Sequence, residues 1–127
     1  MEKRISERVI GCAFEVSNAL GAGFLEGVYE GALAVEFAGA RLGFERQKTL
    51  TVDYKGEVVG RYVADFVVEQ HLIVELKALS RLAPEHEAQV MNYLKATGLT
   101  VGLLLNFGTP RLGVKRIAWR HDDNQPI

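Results

Sequence analysis

Residues 63–77 read Val63-Ala64-Asp65-Phe66-Val67-Val68-Glu69-Gln70-His71-Leu72-Ile73-Val74-Glu75-Leu76-Lys77, two apolar runs joined by a short polar link. Runs rich in Val, Ile and Phe on either side of such a link predict two strands of a hairpin. Three charged residues, Asp65, Glu75 and Lys77, lie inside those runs. Side chains alternate along a strand, so Glu75 and Lys77 share a face. A three-residue link over Glu69-Gln70-His71 pairs Val68 with Leu72, and counting back from that pair sets Asp65 opposite Glu75 on one face. A two-residue link would send Asp65 to the other face, so the arrangement depends on register.

Two carboxylates so placed repel, and one holds its proton unless a cation neutralises the pair. Lys77 supplies part of that charge. A divalent cation supplies more, and Mg²⁺ commonly binds through one or two carboxylates while keeping several waters. Such an ion polarises a phosphoryl oxygen and lowers the pKa of a bound water. The Lys77 ammonium could orient that water or stabilise developing negative charge. The alternative is an ordinary salt bridge from Lys77 to Asp65 or Glu75 at a sheet surface. Charges inside apolar strands are expensive and need a partner or a purpose.

Working outward, residues 5–20 carry an apolar stripe at helical spacing, and Gly21-Ala22-Gly23 ends it. A second helix is predicted over residues 24–42, closed by Gly43. Strands follow over 49–54, 58–68 and 71–78, with a turn at Lys55-Gly56-Glu57. Pro84 suits the first turn of a helix that runs to about Thr97 and stops at Gly98. Residues 101–107 form an apolar strand buried on both faces, and residues 114–119 a last strand at an edge, where Lys115 and Arg116 discourage pairing with another chain. The order ααβββαββ predicts an α/β fold with a mixed β-sheet flanked by helices.

The 127 residues fit a single domain over 1–120, followed by a polar, flexible tail at 121–127. Fifteen Lys and Arg against sixteen Asp and Glu do not make a strongly basic nucleic-acid coat. A metal ion and local positive charge can neutralise phosphate instead. The single cysteine, Cys12, excludes an intramolecular disulfide and a multi-Cys zinc site; its apolar surroundings read as core. No stretch has the length of a membrane span. Met1-Glu2-Lys3-Arg4 leads into a segment broken by Glu7, Arg8 and Glu15, which is not a signal peptide. A cytoplasmic protein is the default expectation.

The Asp65…Glu75-Leu76-Lys77 pattern resembles the core of the PD-(D/E)XK nuclease superfamily, with Ala64 where that name has Pro. The resemblance is closer to its GxxExxY branch, whose motif is matched by Gly23-Phe24-Leu25-Glu26-Gly27-Val28-Tyr29. Further matching segments are Phe44-Glu45-Arg46-Gln47, His86-Glu87-Ala88-Gln89, Asn92-Tyr93-Leu94 and Gly102-Leu103-Leu104-Leu105-Asn106-Phe107. The resemblance implies a restriction-endonuclease-like fold and a Mg²⁺ or Mn²⁺ site held by Asp65, Glu75 and the Leu76 carbonyl. It makes Lys77 the catalytic lysine, with Glu26 and Gln89 as helix-borne companions.

Residue spacing adds to this. Glu26, Tyr29, Glu30 and Leu33 share one helix face, as do His86, Gln89 and Tyr93. Arg81, His86, Tyr29 and Tyr93 are candidate substrate contacts. The plainer readings are a solvated Arg81, a structural His86 and two core tyrosines with satisfied hydroxyls. Acids at a helix start also suit its dipole. The expected activity is hydrolysis of phosphodiesters in DNA, with RNA as the other substrate, by a homodimer. The competing class is a non-catalytic nucleic-acid- or protein-binding module on the same fold.

Overall fold

Two helices lead the chain, α1 (Ile5–Leu20) and α2 (Glu26–Gly39). Then come β1 (Phe44–Tyr54), β2 (Glu57–Val68), β3 (Leu72–Lys77), α3 (Pro84–Thr97), β4 (Val101–Asn106) and β5 (Gly113–Ala118). This is the expected ααβββαββ order. The computed structural model describes residues 3–127; Met1 and Glu2, which open the expected domain, lie outside the described residues.

The strands form one sheet in the order β1-β2-β3-β4-β5. Neighbours are antiparallel except β3 and β4, which are parallel and linked through α3. Helices α1 and α2 cover one face. Val9, Val16, Leu33 and Phe37 pack there on Phe66, Val68, Leu72, Val74, Leu76, Leu103 and Leu105. Helix α3 covers the other face, where Val90, Tyr93 and Leu94 meet Leu50, Ala64, Val67, Ile73 and Leu104. Period-two alternation thus splits β3 and β4 between two cores, and all six β4 residues are buried. Gly102 lets α3 approach: a Cβ there would lie 2.6 Å from Val90 Cγ1. Cys12 is buried, as its apolar run suggested.

Two boundaries differ from expectation. Helix α2 stops at Gly39, before the anticipated Gly43. Arg41 takes the left-handed conformation (φ 58°), and the Leu42 and Arg41 N–H groups bond back to Phe37 and Ala38 carbonyls, a Schellman closure. Strand β1 begins at Phe44 rather than Thr49. It is an edge strand, and its exposed polar residues 45–47 carry no buried alternation to read. At the far end of the chain, the Ser6 hydroxyl donates to the Ile127 carbonyl at 2.8 Å, and the Ile127 side chain packs on the α1/α2 core.

The β2–β3 link is three residues long. Glu69 and Gln70 are left-handed (φ 51° and 60°), the His71 N–H closes onto the Val68 carbonyl at 3.0 Å, and Val68 pairs with Leu72. This is the register that puts Asp65 opposite Glu75.

Candidate metal and active site

The β2–β3 ladder runs through Val68–Leu72, Val67–Ile73 and Phe66–Val74 and ends there. At the next step side chains replace backbone partners. The Asp65 N–H donates to Glu75 Oε1 at 2.7 Å, and the Leu76 N–H donates to Asp65 Oδ2 at 2.8 Å. Each carboxylate therefore holds the other residue's strand, and the pair marks the point where β2 and β3 separate. The N–H and C=O of a strand residue point to the same side, so the Leu76 carbonyl also faces this gap.

Face alternation slips at the same place. Ala64 packs under α3 and Phe66 under α1 and α2, although two residues apart they would share a face in a regular strand. Opposite Asp65 in the register stands Gln47, flanked by the pairs Arg46–Phe66 and Lys48–Ala64. Gln47 is left-handed (φ 52°). The irregularity sets Asp65 between the two helical layers. Charges on α2 and the phenol on α3 both register that position.

Glu75 is 3% exposed. Burial, then the neighbouring Asp65, pushes its carboxyl up to about 8. Burial also pushes Asp65 up, offset in part by the Leu76 N–H. Glu26, in the first turn of α2, is raised by burial and then by Asp65. The Tyr93 phenol is pushed up to about 12 by burial and by the two carboxylates. All three carboxyls are thus raised, and the Asp65–Glu75 pair in particular is an arrangement that a bound cation relieves.

Lys77 lies two residues beyond Glu75, on the same face. The ordinary salt bridge considered from sequence is not formed: among the described residues Lys77 makes no ion pair. Its charge still lowers both carboxyls. On α3, Gln89 Oε1 is buried without a hydrogen-bond donor among the described residues. Tyr93, one turn on, directs its hydroxyl to the Val63 carbonyl at 3.4 Å.

Other candidates stand apart from this group. His86 Nδ1 accepts the Ala83 N–H at 2.9 Å, capping α3. Tyr29 is fully buried. Its hydroxyl donates to Gly21 O and accepts the Phe24 N–H, and its ring stacks on Phe107 at 4.9 Å. It braces the Gly21–Phe24 turn that launches α2. Arg81 is exposed and makes no ion pair among the described residues.

Sequence reasoning missed two contributors. Gln47 Nε2 donates to Glu30 Oε1 and, at 3.3 Å, to Asp65 Oδ1, while Arg46 Nε and an Arg46 terminal nitrogen hold Glu30 Oε2 at 2.9 Å. Only the Phe44-Glu45-Arg46-Gln47 segment hinted at this. The second is Asn106, 4% exposed and paired with Lys77 across β3–β4. Its side chain accepts the Leu79 and Gly108 N–H groups and donates to the Leu79 carbonyl. Gly108 allows that clamp, because a Cβ there would sit 2.2 Å from the Leu79 nitrogen. The backbone after Lys77 is thereby fixed.

No group of three or more His, Cys, Asp or Glu side chains placed to hold a metal occurs among the described residues. A cation would rest on two carboxylates, a carbonyl and water. The donors here are all oxygen, and among the described residues each carboxylate leaves one oxygen without a backbone donor. That set fits a hard divalent ion such as Mg²⁺.

A family model for the PD-(D/E)XK nuclease superfamily matches residues 3–117. No curated protein matches the chain. Among solved structures, the crystal structure of a protein named SSO0001 is similar in fold, with a TM-score of 0.59 at 19% identity over 78% of this chain. The chain spans about half of that protein, 52% of its length.

Proposed function

Since the chain belongs to the PD-(D/E)XK nuclease superfamily, we propose that it is a divalent-metal-dependent nuclease that hydrolyses phosphodiester bonds in DNA, with RNA as the alternative substrate. The observation that carries this reading is the carboxylate pair at the end of the β2–β3 ladder, with Lys77, which makes no ion pair among the described residues, on the Glu75 face. The Gly23-to-Tyr29 motif supports a place in the GxxExxY branch.

Asp65, Glu75 and the Leu76 carbonyl hold Mg²⁺ or Mn²⁺. When bound, the ion polarises a phosphoryl oxygen and acidifies water. Lys77 orients the attacking water and stabilises the charge that builds on the phosphoryl oxygens. Glu26 on α2 would orient water, and Gln89 on α3 would position the strand being cut. Arg81 and His86, on the loop after β3 and in the first turn of α3, are the candidate contacts to the phosphate backbone. Tyr93 anchors α3 beside the carboxylates. Exposed apolar side chains such as Leu25 and Val35 support a homodimer. No described helix is long and apolar enough to cross a membrane, which is in keeping with a cytoplasmic site of action.

The test is metal-dependent cleavage of single-stranded, duplex and branched DNA, and of RNA, by wild type, Asp65→Ala and Lys77→Ala. The expected loss is at least about 100-fold for each variant. Cleavage that survives both substitutions would remove the site assignment. A second reading, a non-catalytic binding module, is favoured by the near balance of charges and by the absence of a third acidic ligand among the described residues. It predicts nucleic-acid binding without cleavage in wild type.

A further inference from the structure

We propose that Gln47 is a positioning residue that aims Asp65 at the metal, tying that carboxylate to α2 through Glu30; the inference rests on the metal-site reading above. Gln47 lies inside β1, yet its backbone is left-handed (φ 52°), a conformation L residues adopt at a cost. Burial does not explain it, because Gln47 is exposed. What the conformation achieves is reach. The amide nitrogen donates to Asp65 Oδ1 at 3.3 Å and also to Glu30 Oε1. Asp65 Oδ2 is already held by the Leu76 N–H, so both oxygens are oriented and rotation of the carboxylate is restrained.

Behind Gln47 the chain of contacts is anchored. The Glu30 side chain is 14% exposed and paired at 2.9 Å with the Arg46 guanidinium. Arg46, Glu30, Gln47 and Asp65 therefore alternate donor and acceptor from the edge strand to the site. An outer partner of this kind sets ligand direction and is expected to affect metal affinity by about 10- to 100-fold. The face slip between Ala64 and Phe66 lets a residue of the edge strand reach Asp65 from the α2 side.

The experiment is Mn²⁺ binding by calorimetry, with thermal melts, on wild type, Gln47→Gly and Gln47→Asn. Glycine accepts the left-handed backbone without strain, and asparagine tolerates it but stops one methylene short of Asp65. Both variants should melt at or above the wild-type temperature and bind Mn²⁺ about 10- to 100-fold more weakly. Wild-type affinity in both variants overturns the role of Gln47, whether or not they melt lower; a lower melting point alone would make Gln47 a strut for the hairpin. If wild type binds no Mn²⁺ at millimolar concentration, the metal-site reading itself falls, and this inference with it.

Discussion

At the scale of the residue, Glu75 concentrates the tension of the site. Its carboxyl is raised from 4.5 to about 8 by burial and by Asp65, so in the metal-free protein it keeps its proton at neutral pH. A folded-state value above the unfolded one stabilises the protein fully below pH 4.5, and that stabilisation is lost as pH rises through 8. The metal-free protein should therefore melt at progressively lower temperature between those values, with a loss on the order of a few kcal/mol. The upward shift of Asp65 acts in the same direction. Glu75→Gln keeps an acceptor for the Asp65 N–H and should flatten the dependence. Calorimetric melts at several pH values in chelator measure this; a flat wild-type profile would contradict it. Metal binding should strengthen with pH over the same window, because the ion displaces the proton. Lys77→Ala separates the roles differently: Mn²⁺ binding retained, cleavage lost.

At the scale of the element, the site depends on where strands stop being strands. Strand β3 is held on one side by β4 throughout, from Leu72–Val101 to Lys77–Asn106. On its other side β2 departs after Val74. The Asn106 clamp then fixes the loop that leaves Lys77. Gly108→Ala would force a methyl into the Leu79 backbone and should destabilise the protein by about 1–3 kcal/mol, with cleavage falling further than stability alone explains. Urea titration with parallel activity assays checks this. Leu72, fully buried in the α1/α2 core at the opposite end of β3 from Lys77, is the control: Leu72→Ala should cost about 2–5 kcal/mol, with cleavage by the folded fraction preserved.

At the scale of the whole molecule, two helical layers enclose one sheet, and the carboxylates sit where both layers can reach them. A ligand bound only by the folded state stabilises it by mass action. Mn²⁺ at a hundred times its Kd should add about 2.7 kcal/mol, and Asp65→Ala should abolish that gain. The chain is nearly neutral, so attraction to a polyanion must come from local charge and the bound ion. Light scattering on the eluting protein tests the proposed dimer: a single monomer mass at micromolar concentration would refute it.

Much of this was legible in the residues themselves. Apolar periodicity placed α1, because that helix buries one stripe and exposes the other, and Pro84 and Gly98 bounded α3. The odd-length link 69–71 set the hairpin register, because side-chain direction has a period of two. The start of β1 was not legible, since an edge strand of exposed polar residues has no buried face to imprint a pattern. Nor was Gln47, whose function depends on a left-handed backbone and on a partner, Glu30, seventeen positions away. The Asp65–Glu75 pairing could be derived from local chain geometry alone. That the ladder ends at that pair, so that the carboxylates bond backbone groups and Lys77 makes no ion pair among the described residues, was decided by tertiary structure, because Ala64 and Phe66 pack under helical layers on opposite faces and a regular strand cannot serve both.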